Sequence, residues 1–254
     1  MSIEDLPENL QHLLTTVSPR HDRPIAVHDV EYLHGATPLR GFIAEPEGGS
    51  PKAVLVFHAW MGPGPYVEAR ARMIAGLGYT VFAGDVYGDG VRPATIPEMR
   101  AESQKYYADL PLMRGRAQAA FDALTDRGFT PDDILVIGYC FGGTVALEHA
   151  RTGQRSAGVV SFHGRLITQD PPEVQAIAAP VLILTGGSDP IAPDEDVKAF
   201  ADELRTAPEV DWQISVYSGA PHAFTVPGDM YREKADARSW RAFVDFADEV
   251  APIV

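Results

Sequence analysis

The sequence predicts an α/β fold, a doubly wound and mostly parallel sheet of about eight strands flanked by helices. Three observations carry that expectation. Residues 53–57, 79–83, 134–137, 157–162 and 181–185 are short, mainly apolar runs, the pattern of strands buried on both faces. Helix-compatible segments alternate with them, and alternating strand and helix units close into parallel sheets. The 254 residues, 45% hydrophobic and 22% charged, are enough for one large core.

Residues 1–24 read as a helical appendage, with Ile3, Leu6, Leu10, Leu13, Leu14 and Val17 at helical spacing until Ser18-Pro19 ends the pattern. Residues 25–254 read as a single catalytic domain. It opens with strands at 25–34 and 39–45, joined by Gly35-Ala36-Thr37-Pro38 as an antiparallel hairpin. The strand at 53–57 runs into the loop His58-Ala59-Trp60-Met61-Gly62-Pro63-Gly64. A helix at 66–77 closes on Gly78, a strand follows at 79–83, and 86–97 is a long loop punctuated by glycine and proline. Residues 98–126 are helical with a break near Pro111. After the strand beginning at Ile134 and its glycine-rich turn comes a helical segment at 144–151, whose Glu148-His149 pair reads as solvated surface. Strands at 157–162 and 181–185, a helix at 193–206, a strand at 211–217 and a helix at 230–250 complete the chain. In such sheets the chemistry lies beyond the carboxyl ends of the strands.

Composition narrows the function classes. A net charge of −14 opposes nucleic-acid and anionic-membrane surfaces, both of which require a positive footprint. A single cysteine forbids an internal disulfide and a multi-cysteine metal site. The first five residues lack a basic region leading into an apolar run, and no apolar stretch reaches spanning length. The expectation is a cytoplasmic protein, monomer or homodimer, without metal or cofactor.

The chemistry-bearing residues fall at strand ends. The apolar run at 134–137 ends in Gly138-Tyr139-Cys140-Phe141-Gly142-Gly143, a strand–turn–helix with the only cysteine at its apex. Glycines flank a nucleophile elbow because strand and helix approach too closely for side chains. The alternative for Cys140 is a buried structural thiol. Asp189-Pro190 follows the strand at 181–185, and Pro221-His222-Ala223-Phe224 follows the strand at 211–217. Taken singly, Asp189 could be a turn aspartate and His222 one loop histidine among eight. Together, Cys140, Asp189 and His222 stand in the order nucleophile, acid, base. A thiol needs a base or an imidazolium partner to become thiolate, and the carboxylate fixes the histidine tautomer. The Phe141 amide and the Trp60 amide are the expected oxyanion donors, with Gly62 and Gly64 permitting close approach.

On these residues the chain resembles the dienelactone hydrolase family over roughly residues 25–250. The resemblance implies an α/β-hydrolase fold and a Cys-His-Asp hydrolase that forms a covalent thioester with small esters or lactones, free of metal and cofactor. Family members that open dienelactone resemble one another in a glutamate at the position of Ala59 and an arginine at the position of Val226. Both are replaced here, which points to a neutral, compact substrate and to a standing thiolate–imidazolium pair. His58, Ala59, Tyr87, Arg92, Tyr106, His163, Phe224 and Val226 are the expected pocket residues, with Tyr107 in the same variable region. An acyl-transferring or thioester-handling enzyme and a non-catalytic ligand-binding homologue are the alternatives.

Overall fold

A computed structural model describes residue 4 and residues 6–253; expectations resting on Met1, Ser2, Ile3, Asp5 and Val254 lie outside them. The elements are α1 (Glu8–Thr15), β1 (Ile25–His34), β2 (Thr37–Pro46), β3 (Ala53–Phe57), α2 (Pro65–Ala75) and β4 (Thr80–Gly84). Then come α3 (Ile96–Ala108), α4 (Leu110–Thr125), β5 (Ile134–Tyr139), α5 (Phe141–Ala150), β6 (Gly158–Phe162) and β7 (Val181–Gly186). The series ends with α6 (Asp194–Leu204), β8 (Trp212–Tyr217) and α7 (Glu233–Val250).

The eight strands form one sheet in the order β1-β2-β4-β3-β5-β6-β7-β8. The β1–β2 hairpin and the β2–β4 pair are antiparallel, and every later pair is parallel. All residues of β3, β4, β5, β6 and β7 are buried, which is why these strands read as continuous apolar runs. The winding reverses between β3 and β5. The crevice beyond their carboxyl ends is the topological switch point where ligands bind in open α/β sheets.

Two hydrophobic clusters cover the two faces. One gathers Met113, Ala117 and Phe121 of α4, Val145 of α5 and Phe200 of α6. The other gathers Val67 and Ile74 of α2 with Trp240 and Phe243 of α7, and it includes Leu6, Leu10 and Leu13 from the N-terminal segment. The helical region after residue 95 breaks at Asp109, whose carboxylate accepts from the Leu112 amide at 2.9 Å and caps α4. Pro111 sits in the first turn of that helix, where its missing N–H costs nothing.

Helix α5 starts at Phe141, directly after the cysteine, and all ten of its residues are buried. This corrects the expected solvated Glu148-His149 pair: each is 1% exposed. Neighbouring α4, with Arg151 at the end of α5, supplies the partners that permit the burial. Glu148 meets Arg114 of α4 at 2.7 Å and Arg151 at 3.4 Å. The His149 ring donates to Gln118 Oε1 at 3.1 Å and lies against Phe121, and burial lowers its pKa to about 4.

Candidate active site

Cys140 sits between β5 and α5 with φ 56° and ψ −118°, a strained conformation at the carboxyl end of a central strand. The neighbouring glycines are required by contact. A Cβ on Gly138 would lie 1.9 Å from the Gly142 carbonyl oxygen, and one on Gly142 would lie 2.2 Å from the Phe57 carbonyl oxygen. The Cys140 amide donates to Phe162 O at 2.9 Å, tying the turn to the end of β6.

Two loops from the far strands meet the thiol. Cys140 Sγ is 3.0 Å from His222 Nε2, and His222 Nδ1–H donates to Asp189 Oδ2 at 2.9 Å. The other carboxylate oxygen accepts from the amides of Ile191 and Ala192 at 2.8 and 3.3 Å, so Asp189 is held from its own loop. The acid and histidine loops are laced together by Gly187 N–H donating to Tyr217 O and Ser188 N–H donating to Ala220 O. Burial acts to lower the His222 pKa, but hydrogen bonds and charge from Asp189 and Cys140 outweigh it and push the value up to about 10. The imidazolium is therefore the favoured form across neutral pH.

The loop after β3 approaches from the other side of the switch point. The Ala59–Trp60 peptide is fixed through its carbonyl, which accepts from His58 Nδ1–H at 2.8 Å and from Gly62 N–H at 3.0 Å. The Trp60 carbonyl accepts from Tyr87 OH at 2.8 Å. As the first helical residue, Phe141 has an amide without an intrahelical acceptor. Among the described residues, neither the Trp60 nor the Phe141 amide donates to a backbone carbonyl. His58 Nε2 accepts from Val86 N–H at 3.1 Å, and desolvation lowers its pKa to about 4 despite Asp85 nearby. Neutral His58 thus works as a spacer between two loops, with its ring stacked 6.0 Å from Phe141.

The expected pocket residues divide by depth. Tyr87 and Tyr106 pack on Phe141 with centroids 5.4 and 5.9 Å away, and Tyr106 OH donates to Tyr87 O at 3.0 Å. Ala59 and Arg92 line a cavity of about 350 Å³ beside the loop, together with Met61, Gly64 and Tyr66. Arg92 Nη1 donates to its own loop at Val91 O, 2.8 Å away, and lies 3.9 Å from Asp85. Val226 is half-buried and packs against the cluster beneath. His58, His163 and Phe224 have no exposed surface. Each is enclosed because it bridges loops or fills the space beneath the histidine loop.

Sequence reasoning passed over two groups. Arg165 is exposed, with its guanidinium carbon 5.7 Å from the centre of the Tyr107 ring, and Tyr107 in turn packs on Phe141 at 5.6 Å. Its position in Phe162-His163-Gly164-Arg165, at a strand end, was the available signal. Thr225, fully buried and bonded to His163, had none. Among the described residues, no group of three or more His, Cys, Asp or Glu side chains could hold a metal ion. Nor is any described helix long and apolar enough to cross a membrane.

A mostly parallel eight-stranded sheet with helices on both faces and a glycine-flanked elbow after β5 defines an α/β-hydrolase-fold protein. The model of the dienelactone hydrolase family matches residues 39–251, and the chain belongs to that family. It is a hydrolase by that membership. A solved structure titled m3DLH is 34% identical, covering 89% of this chain and 98% of its own, with a TM-score of 0.84. A dienelactone hydrolase-like promiscuous phosphotriesterase from metagenomic libraries is 36% identical over the same shares, with a TM-score of 0.83. A Yersinia pestis protein provisionally named carboxymethylenebutenolidase is 28% identical over 225 residues, 82% of each chain.

Proposed function

We propose that this protein hydrolyses small esters or lactones through a thioester on Cys140. The supporting observation is the unbroken line from Cys140 Sγ to His222 Nε2 at 3.0 Å and from His222 Nδ1 to Asp189 Oδ2 at 2.9 Å. The thiolate sulfur attacks the carbonyl carbon, and the C=O electron pair moves onto the oxygen between the Phe141 and Trp60 amides. When the C=O bond re-forms, the alkoxide leaves and takes the proton from His222 Nε2. Neutral His222 then removes a proton from water, whose oxygen attacks the thioester carbonyl. Collapse expels the Cys140 thiolate, and the carboxylic acid departs. Asp189 keeps the ring in the tautomer that presents Nε2 and steadies the imidazolium.

The 3.0 Å contact between Cys140 Sγ and His222 Nε2, with the raised pKa of His222, is in keeping with activation of the thiol by the imidazolium without a glutamate at the position of Ala59. Ala59 and Val226 place no charge beside the site, in keeping with a neutral, compact acyl group. The phosphotriesterase title of a 36% identical relative adds neutral phosphotriesters to the substrates worth assaying.

The test is p-nitrophenyl acetate hydrolysis by wild type, Cys140→Ala and His222→Ala. The reading expects activity in wild type and its loss on the order of 10³-fold or more in each variant. Activity surviving both substitutions would end it. Partition of the acyl group between water and added alcohol or thiol separates hydrolysis from acyl transfer.

A further inference from the structure

Packed against His222 is a buried polar cluster that the hydrolytic scheme does not use. Its centre is Thr225, three residues after the histidine and 0% exposed. Thr225 Oγ1 lies 2.6 Å from Tyr66 OH and 2.6 Å from His163 Nε2. Its carbonyl accepts from Arg70 Nη2 at 2.6 Å, and the same nitrogen meets Asp236 Oδ1 at 2.7 Å. Arg70 is 1% exposed and lies over the rings of Tyr66 and Tyr139. Helix α2, the end of β6 and helix α7 thus all converge on one residue of the histidine loop.

The backbone marks the same place. Among the described residues, the non-glycine residues with positive φ are Cys140 at 56°, His163 at 41° and Ala223 at 59°. Such conformations persist only where the surroundings over-determine them. The first is the elbow. The other two lie on either side of the cluster, and the Ala223 turn is closed by Val226 N–H donating to Ala223 O at 2.8 Å. Immediately beyond, Arg232 N–H donates to Phe224 O at 3.0 Å. The loop carrying His222 is therefore built around Thr225 rather than draped over it.

The cluster also governs charge. The His163 ring stands edge-on to His222 with centroids 5.5 Å apart. A charged imidazole needs an acceptor at both nitrogens, and His163 Nδ1 has no hydrogen-bond partner. The ring is accordingly neutral, and burial, with the charges of His222 and Arg70, keeps its pKa well below the ordinary histidine value. The groups facing His163 are His222, Thr225, Phe224, Tyr139 and the Arg70 charge; those facing His222 are Cys140, Asp189 and His163.

We propose that Thr225 is a positioning residue for His222. Its hydroxyl joins Tyr66 to a neutral His163 that walls the imidazolium, and its carbonyl is clamped by the Arg70–Asp236 pair. This inference rests on His222 being the base of the hydrolytic reading. Loss of the hydroxyl lets His163 and the Ala223 turn relax, which lengthens the Cys140–His222 contact while leaving the substrate wall in place.

The experiment compares Thr225→Val, Thr225→Ser and Tyr66→Phe with wild type. It measures kcat and KM on p-nitrophenyl acetate, the pH profile of iodoacetamide inactivation, and Tm. Thr225→Val should lower kcat roughly tenfold or more, with KM nearly unchanged, because misplacement of a reacting group acts on the chemical step. It should also move the inactivation profile to higher pH. Thr225→Ser, which keeps the hydroxyl, should restore both. Tyr66→Phe removes one partner without touching the loop and should shift both readouts the same way by less; it decides the matter if Thr225→Val fails to fold. A folded Thr225→Val with the wild-type kcat and profile overturns the inference. So does a Thr225→Ser as impaired as Thr225→Val, or, if the valine variant does not fold, an unaltered Tyr66→Phe. Failure of the hydrolytic reading is distinguishable, because Cys140→Ala and His222→Ala would then keep wild-type activity.

Discussion

His222 carries the clearest electrostatic signature of any single residue in the site. Its pKa is raised to about 10 because hydrogen bonds and charge from Asp189 and Cys140 outweigh its burial. The sign of the consequence is fixed. In the folded protein the imidazolium form is favoured across neutral pH and is lost as pH rises through about 10. In the proposed scheme the proton on Nε2 goes to the leaving alkoxide, so kcat/KM on an alkyl ester should fall on the alkaline side with a midpoint near pH 10. A steady-state pH profile checks this, and an alkaline limb centred near pH 7 would show that the pair is not formed. Cys140, Asp189 and His222 were legible in the sequence because each sits in a short motif closing its own strand. Thr225 was not. Its partners Tyr66 and Arg70 come from a helix about 150 residues before it, and Asp236, which holds Arg70, comes from a helix after it, so only folding brings them together.

At the scale of the element, the strand–elbow–helix unit rests on contacts too short for any side chain. Gly138→Ala would place a Cβ 1.9 Å from the Gly142 carbonyl oxygen, and the backbone there has no room to give. Gly64 is the control. Its φ of −179° is ordinary extended backbone and nothing lies within 4 Å of an added Cβ. Gly138→Ala should lose at least about 3 kcal/mol or fail to fold, while Gly64→Ala should stay within about 0.5 kcal/mol of wild type. Urea denaturation distinguishes the two, and equal stabilities would contradict the packing described. The elements themselves were readable from apolar runs and breakers, and the boundaries shifted by one to three residues at most sites. The larger miss was α5. The sequence placed Glu148 and His149 on a wet face because their type is polar, whereas α4 covers that face and supplies Arg114 and Gln118 as partners. Pairing between distant helices has no local signature.

For the whole molecule, the buried histidines predict an acid limit to stability. His58 and His149 are held neutral with pKa values lowered to about 4, and His163 lies well below its ordinary value. The unfolded chain binds protons on these rings below about pH 6.5, whereas the folded chain does not until about pH 4. Stability therefore falls as pH drops through that window, by on the order of 1–3 kcal/mol for each of His58 and His149, with His163 acting in the same direction. The raised pKa of His222 stabilises the fold, but that contribution is constant below about pH 6.5 and is lost only as pH rises towards about 10, outside this window. Tm measured from pH 7 to pH 4 should decline, and His149→Gln should flatten the slope while leaving activity in place. A Tm independent of pH across that interval would contradict the neutral burial of these rings.

The central claim is that Cys140 forms a covalent bond with the acyl group. It is tested most directly by acid-quenching wild type during p-nitrophenyl acetate turnover and mapping the acetyl group by peptide mass spectrometry. The account predicts an acetyl group on Cys140, accumulating further in His222→Ala if that variant acylates at all, because deacylation has lost its base. An acetyl group found reproducibly on another residue, or full turnover by Cys140→Ala, would contradict it.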